Sequence, residues 1–96
     1  MLSENNISQI VHRVAAANLG PEIVDDVLSG TTTDSEGRDA LLITVIIKAG
    51  SVNKIKGDSV LDTLVQVQHE LREAGEERLP IVEYATEEEL QDSGDS

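Results

Sequence analysis

The stretch DALLITVIIK, Asp39–Lys48, limits what this chain can fold into more than any other segment. It is aliphatic and β-branched almost throughout, a composition suited to a pleated strand. Alternation puts Leu41, Ile43, Val45 and Ile47 on one face and Ala40, Leu42, Thr44, Ile46 and Lys48 on the other. The first face must be buried. The second mixes two large aliphatics with smaller or polar neighbours, so the fold has to decide what covers it. On one side lies the polar TTTDSEGR, Thr31–Arg38, which reads as a long, mobile hairpin tip between antiparallel strands. On the other lies AGSVNKIKGDS, Ala49–Ser59, which reads as a loop.

The remaining segments supply two helices and two further strands. Ser3 is an N-cap, with Leu2 before it and Ile7 at the spacing of a hydrophobic staple. Ile7, Ile10, Val11 and Val14 then form an apolar stripe at helical period, and Gly20–Pro21 stops it. EIVDDVLSG, Glu22–Gly30, reads as a strand whose alternation is broken by Asp25 and Asp26, where a bulge or slip is expected. DSVLDTLVQVQHELREAG, Asp58–Gly75, is the stronger helix, with Asp58 as its cap and Gly75 as its stop. Its apolar residues Val60, Leu61, Leu64, Val65, Val67 and Leu71 cover a wide arc. ERLPIVEYA, Glu77–Ala85, is a third strand, which Pro80 confines to a strand start or a sheet edge. Thr86 and Glu89 have capping-box spacing and predict a short C-terminal helix. Residues 1–91 read as a single domain and 92–96 as a disordered acidic tail.

The order is therefore α-β-β-α-β. It predicts an α+β fold, a two-layer sandwich with a three-stranded sheet and both helices on one side. Leu42, Thr44 and Ile46 would then face outward. Leaving two large aliphatics in water forgoes roughly 1.5–3 kcal/mol each. The terminal segment around Leu90, a second copy of the chain or a different protein could cover them.

Composition removes several functions. Tyr84 is the only aromatic residue, too few for a platform on which nucleic-acid bases stack. A net charge of −12, from 19 acids and 7 bases, repels phosphate backbones and acidic lipid. The absence of cysteine excludes disulfides, thiolate nucleophiles and sulfur-ligated metals. No apolar run approaches a membrane span, and MLSENNISQI lacks the charged and apolar segments of a signal peptide, so a cytoplasmic location is expected.

Candidate chemistry is sparse. Lys54 and Lys56 precede a helix start, as anion-binding loops do, but the Gly-Lys-Ser/Thr run of a phosphate loop is missing. Gly50–Ser51 with downstream Asp58 and Asp62 faintly resembles minimal nucleotidyltransferases. Those need two carboxylates two apart on a strand, whereas these are four apart on a helix. His12 and His69 each lie among polar helical neighbours with no second ligand at i+4. No catalytic, metal or cofactor site is predicted. From Glu70 onward the chain carries ten acids and two arginines; Glu73, Glu76 and Glu77 surround a helix end, and Glu87, Glu88 and Glu89 open the next helix.

The element order is similar to that of type II KH-like domains, including ribosome-binding factor A, which implies RNA binding. Those domains grip RNA with a Gly-x-x-Gly loop, which this chain lacks. The segment from Asp34 to Leu90, with DSEGRDALLITVII and GEERLPIVEYATEEEL, resembles small bacterial proteins encoded beside HEPN-domain genes, which implies a partner-protein or antitoxin-like role. The reading that results is a small acidic non-enzymatic protein that binds another protein or itself. Leu42, Thr44 and Ile46 form the contact, and Glu87, Glu88 and Glu89 form a specificity rim. An RNA-associated domain and an enzyme of unknown class are the alternatives.

Overall fold

The computed structural model describes residues 2–87. They form α1 (Glu4–Leu19), β1 (Val24–Thr33), β2 (Asp39–Ile47), a single 3-10 turn (Val52–Lys54), α2 (Gly57–Glu73) and β3 (Leu79–Thr86). The architecture is α+β in the order α-β-β-α-β. The sheet is mixed, with β2 at its centre, β1 antiparallel to it and β3 parallel. The short helix expected from Thr86 and the acidic tail lie, beyond Glu87, outside the described residues. Among those described, no helix is long and apolar enough to cross a membrane.

The first helix begins as its sequence dictates. The Ser3 hydroxyl accepts from the Asn6 amide at 3.2 Å, Leu2 packs on the core and Ile7 is fully buried. Gly20, at φ 108°, turns the chain out of the helix while its N–H bonds the Ala16 carbonyl. Ile7, Val11, Val14, Ala15 and Leu19 meet Leu41, Ile43, Val45 and Ile47 of β2 in one buried cluster, joined by Val67 and Leu71 of α2. Ser29 fastens α1 to β1, donating to the Glu4 carbonyl at 3.1 Å and sharing a 3.0 Å hydrogen bond with Ser8.

The interrupted alternation of β1 is resolved by a bulge. Val24 pairs with Ile47 and Asp26 with Ile46, so Asp25 is an extra residue between them. In a regular strand, residues three apart point to opposite faces. The bulge returns both Val24 and Val27 to the core and leaves both aspartates in water. The hairpin is tighter than its polar sequence suggests. Thr31–Thr33 extend β1, and the turn is confined to Asp34–Arg38. There the Asp34 carboxylate accepts from the Glu36 and Arg38 amides, each at 2.9 Å, and pairs with the Arg38 guanidinium at 3.1 Å. The Arg38 amide, above all, holds that carboxyl below its ordinary value.

Two expectations for the second helix need correction. Lys56, not Asp58, is the N-cap; its carbonyl accepts from Ser59 and Val60, and Asp58 lies in the first turn, where its charge complements the dipole. The apolar arc is also only partly used. Thr63, Val67 and Leu71 are buried, Val60 and Leu64 are half-buried, and Leu61 and Val65 stay exposed. At the other end, Gly75 (φ 99°) donates to Arg72 and Glu76 to Leu71, which closes a Schellman motif.

Glu76 is not part of a solvated acidic face, as its sequence neighbours suggest. It is 3% exposed. Its carboxylate takes the Arg78 guanidinium on both oxygens at 2.8 and 2.9 Å, the Arg78 amide at 3.0 Å and the Leu2 amide at 3.1 Å. One side chain thus ties the start of α1 to the turn before β3. The Arg78 hydrogen bonds hold its carboxyl at about 2, against an ordinary 4.5, despite the opposing effect of burial. Removing one partner from a buried pair costs roughly 3–5 kcal/mol. Glu76→Gln should therefore lower unfolding stability by about 3 kcal/mol at neutral pH in urea titrations. The folded carboxyl titrates below the unfolded one, so its contribution is complete above pH 4.5 and is lost as pH falls toward 2. The gap between variant and native protein should close over that interval.

Candidate interaction surface

The register defines the face of the sheet that carries the even-numbered residues of β2. Across it run four rows: Thr32, Ala40 and Leu79; Gly30, Leu42 and Ile81; Leu28, Thr44 and Glu83; Asp26, Ile46 and Ala85. Leu42 is 37% exposed, while Leu28, Leu79 and Ile81 are 47%, 49% and 38% exposed. These four aliphatics lie on adjoining rows at the hairpin end of the face. Only Leu42 was singled out by the sequence. The other three depend on which strands flank β2 and in what register, and one strand's alternation does not reveal that.

Two of the expected contact residues are placed differently. Ile46 is 5% exposed and Thr44 is 8% exposed, so neither looks out into solvent. Both belong to the central strand, and each has a side-chain-bearing neighbour on either hand. Thr44 stands between Leu28 and Glu83 and donates its hydroxyl to the Glu83 carboxylate at 2.8 Å. Ile46 stands between Asp26 and Ala85. Leu42 is open because its neighbour on β1 is Gly30, which has no side chain to lay against it. Of the predicted acidic rim, Glu87 is exposed and directly follows β3, at the end of the face remote from Leu79. Glu88 and Glu89 lie outside the described residues.

Gly30 is informative in itself. Its φ is not positive, so the backbone does not require glycine there, and a Cβ would meet no atom within 4 Å. Neither conformation nor internal packing explains the missing side chain. It leaves a gap beside Leu42 on the edge strand β1, at the margin of the apolar patch. A glycine inside a strand often marks the close approach of another chain.

The polar surroundings of this face are acidic. None of the three strands contains a lysine or arginine, whereas Asp26 and Glu83 both stand on the face. The histidines and the carboxylates of α2 are dispersed. His12 is exposed, and His69 is exposed with Glu73 at 3.9 Å. Asp58 and Asp62 are both in water on α2. Among the described residues no three His, Asp or Glu side chains are grouped to hold a metal. Tyr84 carries a buried hydroxyl that makes no hydrogen bond of good geometry, and burial raises its pKa. No family model, curated protein or solved structure matches the chain.

The two aliphatics that the sequence treated alike should now separate by mutation. Ile46→Ala should cost about 2–4 kcal/mol, as for a buried core residue, and Leu42→Ala about 1 kcal/mol or less. Urea denaturation of the two variants measures this directly.

Proposed function

We propose that this is a small acidic, non-enzymatic cytoplasmic protein that works by binding another protein through the open face of its sheet. In this reading the molecule is a two-layer sandwich. Both helices shield the face built on Leu41, Ile43, Val45 and Ile47, and the partner supplies the missing cover on the other. The observation that carries the proposal is the gathering of Leu28, Leu79 and Ile81 around Leu42, which Gly30 leaves open on the β1 side. Clustered aliphatics of this kind, with a polar rim, are the usual core of an interface.

Charge favours a partner unlike the chain itself. A face-to-face pair of copies would join two molecules that each carry −12, with Asp26 and Glu83 on both contacting faces. A partner with an apolar centre and a basic rim meets the same face without that repulsion, and its association should be steered and salt-sensitive. The net charge argues equally against RNA as the occupant.

Cross-linking in cells, with identification and purification of the protein captured, tests this through two variants. Leu42→Asp places a charge in the patch, and Gly30→Val adds a side chain at a position where its Cβ meets no atom within 4 Å. Each should weaken binding of the purified partner by at least about tenfold, the equivalent of one well-buried side chain. Gly30→Val should leave the melting temperature equal or higher, since valine favours strands. Leu61→Asp, on the outer face of α2, should bind as the native chain does. Native affinity in both sheet-face variants would overturn the proposal. So would a dimer of the purified chain that Leu42→Asp splits, because the face would then belong to a second copy.

A further inference from the structure

A second feature lies at the opposite end of the sheet, where β2 and β3 finish side by side. The connection from β2 to α2 is held rigidly there. The Lys48 amide bonds the Ile23 carbonyl at 2.9 Å, Ser51 bonds back to Lys48 at 3.0 Å and Lys54 to Ser51 at 2.9 Å. Gly50, at φ 82°, makes the turn that these bonds require. Val52 and Ile55 from this connection, with Ile47, Tyr84, Ala85 and Thr86 from the strand ends, line an apolar slot of about 110 Å³.

The connection that forms one side of the slot is basic in an acidic chain, while the exposed Glu87 follows Thr86 on the other side. All three lysines of the chain, Lys48, Lys54 and Lys56, fall in this connection, and between Asp39 and Asp58 there is no acid. Each lysine is exposed. None forms a salt bridge among the described residues, whereas Arg13, Arg38 and Arg78 are all paired. We propose that the slot receives one aliphatic side chain of an acidic peptide segment, whose carboxylates engage Lys48, Lys54 and Lys56. The slot is a partly open apolar depression, of a size to seat one aliphatic side chain. A nucleobase would need stacking partners, and Tyr84 is the only aromatic residue.

The slot shares Ala85 with the open face but none of the Leu28, Leu42, Leu79 and Ile81 patch, so the two can be tested apart. The probe is the capped pentapeptide acetyl-Glu-Glu-Leu-Glu-Glu-amide, titrated into the ¹⁵N-labelled protein. Saturable shifts are expected at the amides of Ile47, Val52, Ile55 and Thr86. Replacing the peptide's leucine by serine, or its glutamates by lysines, should weaken binding by at least about tenfold. The doubly substituted protein Lys54→Gln/Lys56→Gln should lose affinity similarly, and so should Val52→Ser, a change at an exposed position that leaves the core intact. Leu42→Asp, which disables the sheet face, should bind the peptide normally. Absence of saturable shifts at the slot, or equal affinity for the serine or lysine peptides, would overturn the proposal.

Discussion

The buried aliphatic cluster in which residues of α1 and α2 join one face of β2 is the interaction on which the rest of this structure depends. With a single tyrosine and no other aromatic, the chain builds its core from aliphatic groups, and Leu41, Ile43, Val45 and Ile47 form a floor buried in one cluster with residues of both helices. The other elements are placed to serve that floor. The bulge at Asp25 turns Val24 and Val27 toward it, and the Schellman turn at Gly75 brings the chain back to lay β3 along the second edge of β2. Glu76, at the end of that turn, then grips Arg78 and the Leu2 amide, so the beginning of the chain and its last strand are fastened to one carboxylate.

A strand covered on one side has a consequence on the other. Its reverse is uneven: neighbouring strands supply side chains on both sides of Thr44 and Ile46, and on only one side of Leu42. Where they do, at Thr44 and Ile46, the aliphatic and hydroxyl groups are buried. Where Gly30 supplies none, Leu42 is open, and Leu28, Leu79 and Ile81 extend the opening into a patch. The acids that border it and the absence of cations from all three strands give the patch a polarity as well as a shape. The lysines are held at the far end of the sheet, so the molecule presents two chemically opposite surfaces.

Much of this was legible in the sequence, and the reasons differ by residue. Ser3 and Gly20 announced the limits of α1 because capping is local chemistry. The paired aspartates announced the bulge because they broke an otherwise clear period. Leu42 was identified by alternation alone, but the same alternation wrongly exposed Thr44 and Ile46, since burial in a sheet is decided by neighbours that are distant in the chain. Leu28, Leu79 and Ile81 went unrecognised for that reason. Glu76 was read as one acid among many; its partner, the amide of Leu2, lies 74 positions away. Leu61 and Val65 were counted with the core of α2 because an apolar arc shows what could be buried, not how much of it the sheet can reach.

One face of β2 is buried in the aliphatic cluster that both helices join, and the other is open at Leu42. Methyl NMR of the isolated protein with a soluble paramagnetic relaxation agent tests it in a single measurement. The account predicts strong broadening of the Leu28, Leu42, Leu79 and Ile81 methyl signals, with those of Leu41, Ile43, Ile46 and Ile47 protected. Leu42 and Ile81 as sheltered as Ile43 would contradict it.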